Sequence, residues 1–151
     1  ALGLCSCPSI YFNTKARKIQ AFCTHLGEYY DFDLSRLLKH DLETLRRELL
    51  SIYGIGYETA DAIILYAAQQ PIFVIDNYTR RIFNRLGLAP ADISYTSLQE
   101  LFTLNLQSNL YIFNEYHALL DQHGAAVCKK TPACQDCCLR DICPTGKRHT
   151  S

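Results

Sequence analysis

The chain has 151 residues and a mass of 17.2 kDa, room for one domain or a small two-lobed unit. It is 48% apolar, and 15 Lys and Arg balance 15 Asp and Glu, which excludes a histone-like polycation and a disordered acidic tail but not a local basic face. No apolar run approaches a membrane span and no signal peptide opens the chain; with no Met at any position, the sequence reads as trimmed or partial.

The first periodic segment spans 12–27. Ala16, Ile19, Phe22, Cys23 and Leu26 recur there at helical spacing, and Gly27 is expected to close the helix. Leu34, Leu37 and Leu38 mark a shorter helix. Residues 41–52 start at Asp41, a residue suited to capping, and align Leu42, Leu45, Leu49 and Ile52 on one face. The run Tyr53-Gly54-Ile55-Gly56 interrupts that pattern, and a helix rich in Ala and Ile follows until Pro71. Ile72-Phe73-Val74-Ile75 has strand-like composition but only four residues. Asp76 opens a helix reaching about Leu86, with Gly87 as its stop. Ala91–Leu106 and Leu110–His123 predict two more helices, the last ended by Gly124. No series of alternating strands is visible, so the fold class is all-α. The expected organisation is a helical domain over 1–108, a last helix with a cysteine segment over 109–146, and a tail over 147–151.

Eight cysteines are distributed unevenly. Cys5, Cys7 and Cys23 stand apart, while Cys128, Cys134, Cys137, Cys138 and Cys143 crowd near the C-terminus. Such crowding suits a metal or iron–sulfur site in a reducing compartment better than a disulfide framework. Cys128, Cys134, Cys137 and Cys143 are the expected ligands; Cys138 could replace Cys137 but is expected to be a free buried thiol. Four thiolates can hold a four-iron cluster or a tetrahedral zinc. The single CxxC knuckle favours the cluster, with zinc as the alternative. Between the first two ligands, Lys129 and Lys130 sit on a loop pinned at its base, a good clamp for phosphate.

A Gly-x-Gly turn between two helices lets the backbone approach a ligand. The amides at the start of the second helix form an anion site suited to a backbone phosphate. Read alone, the turn is an ordinary helical hairpin. About twenty residues later a carboxylate, Asp76, stands at a helix start, where it could serve simply as a cap. The joint pattern of hairpin, helix, apolar linker and capping Asp is more specific than any of its parts.

These residues resemble the helix-hairpin-helix (HhH-GPD) DNA glycosylases of the endonuclease III superfamily. Tyr53-Gly54-Ile55-Gly56-Tyr57-Glu58-Thr59-Ala60 is similar to the hairpin motif. Val74-Ile75-Asp76 with Arg81 is similar to the catalytic-aspartate motif. His123-Gly124 and the four-cysteine loop are similar to the iron–sulfur end of endonuclease III. The match runs from about Tyr11 to Pro144. The resemblance implies excision of a damaged base flipped out of duplex DNA into a pocket between two lobes. It also implies a [4Fe-4S] cluster, no membrane, action as a monomer, and a cytoplasmic, nucleoid-associated location. Asp76 would stabilise the cationic sugar or orient water. Gly54, Ile55, Gly56, Tyr57 and Thr59 would hold phosphate, with a monovalent cation on the hairpin carbonyls. Arg81, Lys129 and Lys130 would add DNA contacts. Tyr53, Tyr57, Glu58 and Tyr78, with Phe73, are candidates for the base pocket.

The departures carry information as well. Bifunctional members have a lysine that attacks the sugar where this chain has Glu58, and a carboxylate cannot form that imine. The resemblance therefore implies a monofunctional glycosylase. The Glu58-Thr59-Ala60-Asp61-Ala62-Ile63 run is closer to the 3-methyladenine glycosylase branch, which removes alkylated purines. Family members also carry several dozen residues before the segment that matches Tyr11–Leu26. A non-catalytic DNA-binding or damage-sensing module on the same scaffold, an endonuclease III-type glycosylase for oxidised pyrimidines and a zinc-stabilised helical adaptor are the alternative readings. Lys15, Arg17, Lys18, Arg46, Arg47, Arg80, Arg81 and Arg85 are basic residues spread over several helices, and His117, on an apolar helix, reads as a satisfied core histidine rather than a ligand.

Overall fold

The computed structural model describes residues 12–148; Cys5, Cys7, Tyr11 and the last three residues of the tail lie outside them. Every regular element among the described residues is helical. The chain divides by compactness into two units, 1–70 and 71–151. That break falls inside the segment 1–108 and groups residues 71–108 with the last helix and the cysteine loop.

In the first unit, α1 (Phe12–Tyr30) runs three residues past the expected stop at Gly27. Gly27 serves packing instead: a Cβ there would lie 2.6 Å from the Phe32 ring. The helix ends where Asp31 and Phe32 turn left-handed, at φ 53° and 61°, and the Phe32 amide donates back to the Leu26 carbonyl at 3.0 Å. Asp33 caps α2 (Leu34–Leu38) and Asp41 caps α3 (Leu42–Ser51), each carboxylate accepting a first-turn amide. Leu37, Leu45 and Leu49 are fully buried, with Ile52 close behind. After the hairpin comes α4 (Tyr57–Ala62), which widens into a π-helical turn over Ile63–Ala67. Gln69, at φ 55°, then breaks the helix ahead of Pro71.

Two polar clusters brace this unit. Asp61 on α4 is wholly buried and receives both arms of Arg46 from α3, at 2.7 and 2.9 Å. The same guanidinium lies over the Tyr57 ring at 5.1 Å. Around Glu48, the Tyr30 hydroxyl donates at 2.7 Å and the His25 ring lies at 2.8 Å. Burial and the bond to Glu48 push the Tyr30 hydroxyl up to about 12. Burial works to raise Glu48, but the hydrogen bonds from Tyr30 and His25 outweigh it and hold the carboxyl below its ordinary range.

The second unit opens on residues 72–76, buried and extended but paired with no strand among the described residues. Side chains satisfy this backbone instead. Tyr95 Oη accepts from the Ile75 amide at 3.2 Å, and Gln99 Nε2 donates to the Phe73 carbonyl at 2.6 Å. The segment leads into α5 (Asn77–Arg85), which stops at Gly87, φ 73°, as expected. Next, α6 (Tyr95–Asn105) starts four residues after the expected Ala91, because the Ser94 hydroxyl accepts the Ser97 amide and sets the cap there. The last long helix, α7 (Leu110–Ala126), runs through Gly124. Here too the glycine makes room: a Cβ would meet Tyr78 Cβ at 2.5 Å, so Gly124 lets α5 and α7 close on one another. A 3₁₀ turn at Cys134–Asp136 and α8 (Pro144–Arg148) complete the chain. Among the described residues no helix is long and apolar enough to cross a membrane.

Candidate active site and cysteine centre

The hairpin displays its backbone. Gly54 takes φ 85°, a conformation that favours glycine, and a Cβ there would run into the stem of Lys18 from α1, 2.3 Å from its Cγ. Gly56 caps α4 without a side chain, and a Cβ at that position would meet nothing within 4 Å. Tyr53 and Tyr57 are 64% and 46% exposed, and Glu58 and Thr59 are exposed beside them. Ile55 is half-buried, its amide donating to the Ile52 carbonyl at 3.1 Å.

In the second unit Asp76 stands at the start of α5. Its Oδ1 accepts the Thr79 amide at 2.6 Å, and the residue is 8% exposed. The carboxylate is thereby fixed in direction, with the helix dipole behind it. Its Oδ2 lies 3.9 Å from His117 Nε2 on α7. Sequence periodicity placed His117 in the core, and it is mostly buried; what it did not show is that His117 faces Asp76. Burial pushes the His117 imidazole below its ordinary value, while Asp76 and Asp121 pull the other way.

Two expected base contacts are engaged elsewhere. Phe73 is fully buried, stacked on Phe102 at 3.8 Å and edge-on to Phe113 at 5.5 Å, so it has no open face for a base. Tyr78 is half-buried between Gly124 and the Arg81 guanidinium, which sits 5.0 Å over its ring.

Arg81 itself turns inward. Its Nε donates to the Cys128 carbonyl at 2.7 Å and its Nη2 to the Gly124 carbonyl at 2.9 Å. One helical turn on, Arg85 does more. Its guanidinium donates to Cys128 Sγ at 3.1 Å and to the carbonyls of Cys128, Lys129 and Lys130 at 3.2, 2.6 and 2.9 Å. Its own carbonyl accepts from Cys143 Sγ and Thr145 Oγ1. Arg85 therefore pins the loop of the two exposed lysines by its backbone and leaves their side chains outside. Sequence marked it only as one basic residue among several; its spacing of four from Arg81 places both on one face of α5.

Cys128, Cys134, Cys137 and Cys143 line one small cavity of about 20 Å³ together with Arg85, while Cys138, expected to be a buried thiol, is exposed and lines a different groove. Burial and the neighbouring thiols push the Cys137 thiol up, with the Leu139 amide opposing. Cys137 Sγ also lies 3.5 Å from His123 Nε2. Four thiols around a common space, with an arginine donating to one of them, are a donor set that suits a four-iron cluster or a tetrahedral zinc.

No protein-family model matches the chain. Over 138 residues it is 39% identical to a protein of Methanocaldococcus jannaschii named "Putative DNA repair glycosylase", covering 90% of this chain and 62% of that protein. It is 34% identical over 132 residues to endonuclease III of Sulfolobus acidocaldarius, covering 87% of this chain and 56% of that one. Among solved structures, a non-covalent endonuclease III–DNA complex superposes with a TM-score of 0.78 at 26% identity, over 93% of this chain and 62% of that one. A 3-methyladenine DNA glycosylase of H. pylori bound to 1,N6-ethenoadenine gives 0.66 at 24% identity, over 80% and 60%, which is a likeness of fold. The chain thus spans 62% and 56% of the length of these two curated relatives.

Proposed function

We propose that this chain, a member of the helix-hairpin-helix glycosylase superfamily of endonuclease III, excises a damaged base from duplex DNA and leaves an intact abasic site. The observation that carries this reading is the setting of Asp76, a carboxylate held in one direction at the start of α5 with most of its surface out of water. A fixed negative charge in that setting stabilises the cationic sugar that forms as the N-glycosidic bond breaks, or orients the water that attacks it.

The hairpin would grip the backbone of the same DNA. Gly54, Ile55 and Gly56, with the amides of Tyr57 and Thr59, would hold a phosphate, with a monovalent cation on the hairpin carbonyls. Lys129 and Lys130 would add a second phosphate contact, and Arg81 would serve it by holding that loop. Tyr53 and Tyr57 offer exposed aromatic faces to a flipped base, and Glu58 lies beside them. A cationic alkylated purine suits that combination of rings and carboxylate. Tyr78 would support Arg81 more than touch the base. Glu58 occupies the position of the lyase lysine, so strand cleavage through an imine is not expected.

Cys128, Cys134, Cys137 and Cys143 would hold a [4Fe-4S] cluster, which when bound ties the loop together and takes no part in hydrolysis. We keep 1–108 as the helical part and 109–146 as the last helix with its cluster loop. The protein would act as a monomer, in the cytoplasm with the nucleoid, where its substrate is.

The test is base release from duplexes carrying 3-methyladenine, thymine glycol or uracil, with and without alkali. Release with strand breaks only after alkali supports the reading and names the substrate. Breaks without alkali would make the enzyme bifunctional. Binding without release from any lesion would make the chain a damage-binding module.

A further inference from the structure

Asp76 has one oxygen bonded and a second that faces an imidazole at van der Waals distance. Oδ1 is taken by the Thr79 amide. Oδ2 faces His117 Nε2 at 3.9 Å, and the two side chains are only 11% and 13% exposed. The imidazole cannot easily withdraw. It rides on α7, which is packed along α5 with Gly124 pressed on Tyr78 and the Arg81 guanidinium bonded to the Gly124 and Cys128 carbonyls. A carboxylate at the foot of α5 and an imidazole on α7 are thus held face to face by the packing of two helices.

We propose that His117 is the positioning residue for Asp76: as a neutral ring it packs against Oδ2 and leaves it the full negative charge that excision needs, and as an imidazolium it pairs with that oxygen and turns excision off. The proposal rests on Asp76 being the excision carboxylate. The physical reason is competition for one negative charge. A carboxylate stabilises a cationic sugar by its full charge, and an imidazolium at this distance, in a poorly hydrated setting, would neutralise it.

The charged groups shown to act on His117 are Asp76, from the start of α5, and Asp121, from α7 itself. Both favour the protonated ring, and burial disfavours it more strongly. The ring is therefore neutral near pH 7 and gains its proton only on the acid side of the ordinary histidine range, so excision should fall there.

The experiment measures single-turnover base release by the purified chain between about pH 4.5 and 8, on the lesion that the survey above identifies. Alongside it, NMR follows the His117 imidazole in the wild type and in Asp76→Asn. The wild-type rate should fall at the pH where His117 titrates. In His117→Gln, which keeps a polar side chain without the charge, that acid limb should move down by about one pH unit or more. His117→Leu, which removes both charge and polarity, should lower the rate roughly tenfold across the range with little change in KM. In Asp76→Asn the His117 midpoint should fall, because a group that favours its proton is gone. An unchanged acid limb in His117→Gln, or an unmoved midpoint in Asp76→Asn, overturns the proposal while the excision reading stands. A wild type that releases no base at any pH overturns the excision reading, and this role with it.

Discussion

The two units treat polar groups in opposite ways. The first displays the groups proposed to meet DNA: an uncapped helix start at Gly56, an open turn, two exposed tyrosines and Glu58. Behind that surface it holds a salt bridge in which the wholly buried Asp61 receives both arms of Arg46. The second packs its chemistry inward. Asp76 is a buried cap, Arg81 and Arg85 bond to carbonyls, and four cysteines line one common space. The difference follows from the task proposed for each. A phosphate contact needs only accessible donors, because phosphates carry no sequence information and remain largely hydrated. Stabilising a charge that exists for an instant needs groups that are fixed beforehand and kept from water.

The sharpest way to break the comparison is Asp76→Asn. Asparagine caps a helix about as well as aspartate, so thermal stability should change little. It lacks the charge, so base release should drop by at least about a hundredfold while DNA affinity is retained. If Asp76 were only a cap, release would survive; if it were chiefly a prop for α5, the melting temperature would fall along with the rate.

The next largest effect should come from the hidden staple of the first unit. Arg46→Met leaves Asp61 buried without its bidentate partner, a loss of about 3–5 kcal/mol, visible in urea unfolding. The double variant with Asp61→Leu should recover most of that loss, because removing both charges also removes the desolvation penalty. Failure of the double variant to recover would mean that the guanidinium matters mainly through its contact with Tyr57.

The legibility of this molecule divides along the same line. Helices α3 and α5, with caps Asp41 and Asp76 and the stop at Gly87, were readable because cap, periodicity and stop all lie within one local segment. The spacing of the cysteines marked four that line one space, but the expectation that the fifth, Cys138, is buried fails because the side chain is exposed. Gly27 and Gly124 were misleading: both resemble helix stops, yet each is a packing site for an aromatic ring from elsewhere in its unit. Phe73 looked available for stacking because nothing local tells a core ring from an exposed one. Arg46, Arg81 and Arg85 resembled a dispersed basic surface, and only tertiary contacts show them turned inward. The facing of His117 and Asp76 joins residues 41 positions apart, and no local signal marks such a pair.

In the second unit the counterpart of the staple is Arg85. Arg85→Gln would lose most of the four bonds to the loop that carries Cys128, Lys129 and Lys130. One of these is a charged donor to a thiol sulfur, and bonds of that kind are worth roughly 1.5–3 kcal/mol each when buried. The partial exposure of Arg85 puts the expected loss near 2 kcal/mol. The specific readout is the visible absorption expected of the proposed cluster, which should bleach faster in air than in the wild type, together with a lower affinity for DNA as the lysine loop loosens. An unchanged bleaching rate would separate Arg85 from the cysteine centre.

The smallest effect compares the acid responses of the two units. In the second, the proposed switch is a histidine, so activity should fall while the fold persists. In the first, Glu48 is held below the ordinary carboxylate range, burial being outweighed by its bonds from Tyr30 and His25. A carboxyl depressed in the folded state adds stability above its unfolded value, and that contribution disappears as the pH falls through the folded one. Tyr30, raised to about 12, behaves conversely: its contribution is complete below about 10, the ordinary tyrosine value, and disappears as the pH climbs through 12. The Glu48 cluster should therefore leave stability flat across neutral pH and steepen its loss only below about pH 4.5. Glu48→Gln should flatten that acid decline by a few degrees in Tm and leave the acid limb of base release where it was. Were that limb to move with Glu48→Gln, acid would be silencing base release by loosening the first unit, and the division between a displayed surface and the packed centre proposed for the reaction would fail at this point.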